Sequence, residues 1–165
     1  MSQRFFEEAQ IVSAFVPVDM QTGANDGDWV NLKNWRRCVA VLFKGIGTAG
    51  QDPIFKLQQA KDNAGGSAKD LDFTTISSKV GTQTGIAAFT RTTQTADTSY
   101  TDDESAEAQA IIAVEVNADE LDVNGGFTHI QLSIADVGGA AQLGCAFYVL
   151  CDPRHGGDSV PSAIA

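Results

Sequence analysis

The apolar positions of this chain fall into short runs, and two of the runs end alike. Arg37-Cys38-Val39-Ala40-Val41-Leu42-Phe43-Lys44 stops in the glycine-laden Gly45-Ile46-Gly47-Thr48-Ala49-Gly50. Leu143 to Cys151, with Phe147, Tyr148 and Val149 inside it, stops at Asp152-Pro153-Arg154. Both runs are short, rich in β-branched and aromatic residues, and closed by turn formers. They predict buried strands, not helices.

Other segments alternate with a period near two. Gln10 to Val18 does so weakly and contains Pro17, which suits an edge or terminal strand. Ile54 to Lys61 sets Phe55, Leu57 and Gln59 against Lys56, Gln58 and Ala60, a half-exposed strand, although Asp52-Pro53 would also start a short helix. Leu71 to Ser77 contains a strand, Phe89 to Thr95 reads as a solvated threonine-rich strand, and Ile111 to Val116 is again strand. Ala118 to Leu121 predicts a single helical turn, and Phe127 to Ile134 alternates with Ile130, Leu132 and Ile134 on one face. About eight short strands without a long amphipathic helix predict an all-β fold: a jelly-roll-like β-sandwich forming a single domain over residues 1–165. Residues 1–9 and 156–165 have the loose composition of extended arms.

Composition narrows the function. A net charge of -10 opposes binding to nucleic acid, which depends on clustered Lys and Arg. No apolar stretch approaches the roughly 20 residues that span a bilayer, so no membrane partner is expected. The start, Met1-Ser2-Gln3-Arg4-Phe5-Phe6-Glu7-Glu8, lacks the basic and apolar regions of a signal peptide. Three cysteines is an odd number, and all three belong to the two apolar runs, so they read as small hydrophobes of a reducing compartment.

Candidate chemistry is sparse. Gly45 to Gly50 matches G-x-G-x-x-G after a strand, but Pro53 and the period-two segment beyond it leave no helix to face a pyrophosphate, and the stretch reads as a loop. Asn25-Asp26-Gly27-Asp28 and Asp102-Asp103-Glu104 offer oxygen ligands without the spacing of a calcium loop, and read as solvated. The histidines number two, too few for a three-histidine metal site. His129 reads as a strand residue with a local hydrogen bond, and a triad of Cys145, His129 and Asp136 requires free choice of residues. No catalytic residue, cofactor or metal is expected, and the chain is expected not to be an enzyme. Trp29 and Trp35 flank the polar corner Lys33-Asn34, where a tryptophan serves either the core or an interface.

Val30 to Gly45 resembles a family of small virion proteins of tailed bacteriophages and prophages. The likeness continues through Asp52 to Gln59, Ala106-Glu107-Ala108-Gln109, Leu121-Asp122-Val123, Gly125-Gly126-Phe127 and Ala135-Asp136-Val137. It closes in Leu143 to Ala146, Asp152-Pro153-Arg154 and Pro161-Ser162-Ala163-Ile164. The resemblance implies a capsid decoration or cement protein on the outside of the head, assembled in the host cytoplasm, and carries over no catalytic residue. It implies the major capsid protein as partner. Self-association around a symmetry axis, with a homotrimer the first expectation, follows from the repetition of a capsid. The interface residues expected are Phe5, Phe6, Trp29, Trp35, Pro161 and Ile164. A tail or head-to-tail connector protein, or a carbohydrate-binding sandwich using the Trp29 region, are the alternative readings.

Overall fold

The structure is a computed structural model that describes residues 4–103, 107–155 and 161–164. Its strands are β1 (Ala9–Asp19), β2 (Asn25–Asp26), β3 (Val30–Asn31), β4 (Trp35–Lys44), β5 (Ile54–Ala60) and β6 (Lys69–Asp70), followed by β7 (Phe73–Val80), β8 (Thr90–Asp97), β9 (Ser99–Thr101), β10 (Ala110–Asn117), β11 (His129–Ile134) and β12 (Leu143–Pro153). One sheet runs β1-β12-β4-β10-β7-β8. The other runs β2-β11-β5-β6, with β3 also on β11 and β9 also on β5. The sheets face each other across one core, so the chain is an all-β sandwich.

The pairing shows how the chain is wound. β1 pairs with β12, β2 and β3 with β11, β4 with β10, and β5 with β6 and β9, all antiparallel. First pairs with last and inner with inner, as in one long hairpin rolled into two layers, which is the jelly-roll winding. β7 and β8 are an added hairpin on the β10 edge.

The alternation places the core. Along β10, Ala110, Ile112, Val114 and Val116 are buried while Glu115 and Asn117 are exposed. Along β4 the inward positions are Cys38, Ala40 and Leu42, and along β12 they are Ala146, Tyr148 and Leu150. β11 supplies Ile130, Leu132 and Ile134 from the opposite layer. β8 is polar and exposed nearly throughout, as its threonines predict, which blunts the sheet edge against further pairing.

The structure resolves one open reading and departs from others. Ile54–Ala60 is strand, because β11 pairs with it from Phe55 to Ala60 and buries Phe55 and Leu57. The helical turn expected at 118–121 lies instead at Val123–Gly125, where the Asp122 carboxylate accepts from the Gly125 N–H at 2.8 Å and Gly126 takes a left-handed φ of 85°. The expected arms are only partly arms. Phe5–Glu8 is a helical turn, Ala9 already pairs with Cys151, and the Ala163 carbonyl accepts from the Asn31 N–H at 2.7 Å, which returns the C-terminal end to the chain's own core. Residues 1–3, 156–160 and 165 of those arms lie outside the described residues.

Candidate functional site

The outer face of the larger sheet is the feature the fold leaves without a partner. β4 and β12 were read as buried strands, and their inward alternates are buried. Their outward alternates are apolar too: Val39, Val41 and Phe43 on β4, and Leu143, Cys145, Phe147 and Val149 on β12. Register aligns them in rows across the sheet. Ile11, Val149 and Val39 form one row; Phe147, Val41 and Ala113 the next; Cys145, Phe43 and Ile111 the third. A strand apolar at successive positions is the pattern of one covered on both faces. Among the described residues only one face is packed against another layer.

Exposure along the rows is uneven, and Val41 in the middle row is buried by its neighbours on the sheet. Phe43 is 47% exposed, Ile11 49% and Leu143 65%. Two shallow hollows mark the face. One of about 460 Å³ is bounded by Val39, Val41, Ile111 and Phe147, and another of about 430 Å³ by Pro17, Phe43, Leu143 and Cys145. The charges beside it are mixed on a chain that is otherwise acidic: Arg37 pairs with Glu115 at 3.3 Å and Asp152 at 3.1 Å, and Lys79 lies over the Phe89 ring at 4.7 Å. Three rows over about four strands, at roughly 4.8 Å between strands and 3.3 Å per residue, cover on the order of 300 Å² in projection. That is the size of the largest apolar patches on soluble proteins, which are often functional.

The expected interface residues divide. Phe5 at 53%, Phe6 at 69% and Ile164 at 66% are exposed, with the two phenylalanine rings edge-to-face 5.1 Å apart. Pro161 is half-buried. Trp29 is half-buried against the 62–66 loop, where a side chain on Gly65 would meet the indole nitrogen at 3.0 Å. Trp35 is no interface residue: it is fully buried, closed in by the core that β4 helps to form. The cysteines are unpaired, Cys38 buried and the other two half-buried on the outer face. His129 is buried on β11 with Thr128 Oγ1 2.9 Å from Nδ1, while Cys145 stands in the other sheet, so the triad does not assemble. The G-x-G-x-x-G stretch is a loop between β4 and β5.

One polar cluster was not foreseen. Lys44 ends β4 at an inward position and is fully buried. Its Nζ is 2.7 Å from Asp102 Oδ2 and 3.0 Å from Glu107 Oε2, and Gln142 Nε2 donates to the same Glu107 oxygen at 3.2 Å. Asp102 therefore belongs to no solvated acidic loop. The signal was present, since the alternation Cys38, Ala40, Leu42 carries Lys44 to the core side. Burial raises the Glu107 carboxyl above the usual glutamate range against the pull of Lys44, and a hydrogen bond shared with Asp52 raises it further. Among the described residues no group of three or more His, Cys, Asp or Glu is arranged to hold a metal ion.

No family model matches the chain, and no curated protein matches its sequence.

Proposed function

We propose that this chain is a non-enzymatic structural protein of a tailed-phage particle, a decoration or cement protein that self-associates and fastens adjacent major capsid subunits from outside the head. The observation that carries this reading is the apolar outer face of β12, β4 and β10, composed for burial and left open by the chain's own fold. Its natural occupant is a second copy. Subunits of net charge -10 repel one another except where the contact is locally uncharged or balanced, and this face offers a neutral centre with Arg37, Lys79 and Glu115 at its margin. The jelly roll supplies a rigid body. Phe5, Phe6 and Ile164, exposed near the chain ends, are then free to reach a capsid subunit. Internal pressure from packaged DNA pulls capsid subunits apart, and a module touching several of them adds its binding free energy through avidity.

The test is sedimentation velocity on the purified chain, followed by co-sedimentation with shells of the phage that encodes it. A discrete trimer that pellets with the shells at stoichiometric occupancy is expected. A monomer at all concentrations that stays in the supernatant would overturn the reading.

A further inference from the structure

We infer that Lys44 and Asp102 are the two ends of an intramolecular isopeptide bond, and that Glu107 carries the proton that lets it form. Lysine is a strongly hydrated cation that is almost never fully buried without pairing. Here the side chains of Lys44 and Glu107 are wholly buried and that of Asp102 is 3% exposed, so the ammonium and both carboxylates are held together out of bulk solvent. Although Nζ lies 2.7 Å from Asp102 Oδ2, that oxygen has no partner in hydrogen-bond geometry among the described residues; the two groups touch without being aligned as donor and acceptor. Glu107 is itself held in place. It adopts a left-handed φ of 44°, its carbonyl accepts from the Gly47 N–H at 2.8 Å, and its carboxylate is bound by Gln142. Gly47 is glycine for a reason, because a Cβ there would stand 2.5 Å from Gln142 Nε2. The glycine loop thus closes over the cluster.

The chemistry balances within the three residues. The reaction begins when one ammonium proton passes from Lys44 Nζ to Asp102 Oδ2, 2.7 Å away. The freed Nζ lone pair attacks Asp102 Cγ and forms the C–N bond. Glu107 takes one proton from the nitrogen and returns it to the departing Asp102 hydroxyl; the C–O bond breaks and water leaves. Ammonium plus carboxylate becomes amide plus water, with no oxidant and no change in net charge. Asp102 also borders a polar cavity of about 280 Å³ with Ser78, Thr92 and Tyr100, which gives the water a place to go. The product ties the end of β4 in the larger sheet to the segment after β9 in the smaller one, a covalent brace across the sandwich.

Intact mass spectrometry of the full chain, denatured and reduced, tests this directly. The expected mass is that of the sequence less one water, allowing for removal of Met1. Trypsin is expected to spare Lys44 and release a branched peptide joining the Lys44 and Asp102 segments. An unmodified mass with both peptides separate would overturn the bond. So would a water lost elsewhere, such as a succinimide at Asp26-Gly27, which leaves Lys44 open to trypsin. Glu107→Gln keeps the side-chain shape but cannot carry the proton; it is expected to show the wild-type β-type circular dichroism with the unlinked mass. A fully linked Glu107→Gln chain would remove Glu107 from the proposal.

Discussion

The hydroxyl of Tyr148, in the larger sheet, accepts a hydrogen bond from the Leu132 N–H of the smaller sheet at 2.8 Å. Leu132 lies on β11 between its pairings with β2 and β3, where the chain at Gly27 and Asp28 turns away and the Asp28 N–H donates to Ala14 of β1 at 3.0 Å. A tyrosine oxygen therefore stands in for the missing backbone acceptor. Burial pushes the phenol far above its ordinary pKa, so it stays protonated. Tyr148→Phe keeps the packing but leaves a buried N–H unsatisfied. It is expected to lower stability by about 1–3 kcal/mol, read as a lower urea midpoint with unchanged slope.

Gly27 permits that arrangement. A Cβ there would stand 2.8 Å from Tyr148 Oη, 2.9 Å from the Ala14 Cβ and 2.9 Å from the Leu132 carbonyl oxygen. Two of those atoms are a backbone oxygen and a short side chain that cannot swing aside. Gly27→Ala is expected to cost about 1–3 kcal/mol by overpacking, measured by the same urea titration, whereas Gly50→Ala, with open space around it, pays only for its positive φ of 80°.

Phe43 occupies the middle strand of the outer apolar face and is 47% exposed. Phe43→Asp puts a charge where a second copy is proposed to pack. Self-association is expected to weaken at least about 10-fold, equivalent to about 1.4 kcal/mol, while the thermal midpoint of the dissociated chain changes little. Equal sedimentation of variant and wild type would place the contact elsewhere.

His129 links stability to pH. Burial holds its imidazole below the usual 6.5, with Asp62 pulling weakly the other way. Well above 6.5 both folded and unfolded forms are neutral, and the full stability is present. As pH falls through 6.5 the unfolded chain takes up the proton first, so stability is lost until the folded histidine also titrates. Asp62, Asp70 and Asp122 are held below 3.8 and act only in more acidic solution. Glu107, raised above 4.5, works with the opposite sign, its stability falling as pH rises. The difference between wild type and His129→Gln isolates the histidine. Urea midpoints are expected to fall more steeply between about pH 7 and pH 5 in the wild type.

Strand positions were legible because an alternating strand carries its own period: β4, β10, β11 and β12 fall where the runs of Val, Ile, Leu and Phe place them. The winding that joins β1 to β12 and β4 to β10 was foreseen as a class, from strand number and the absence of helices. The two-residue strands β2 and β6 were not, since so short a segment becomes a strand only when a neighbour offers hydrogen bonds. Trp35 and Trp29 looked equivalent beside the same polar corner, yet one is core and the other half-buried on a loop.

What the amino-acid order determined alone is therefore local and periodic: where strands run, which alternate positions are apolar, and that β4 and β12 are apolar on both sides. Tertiary structure decided what each side meets. It covered one face of those strands with the smaller sheet and left the other open, because a two-layer sandwich has only one interior. It also brought Lys44 to Asp102 and Glu107, which lie far along the chain from it, in one buried pocket at the edge of that interior. No periodicity in a sequence encodes such a meeting, since it depends on how the hairpin rolls up and on which loops close over its end.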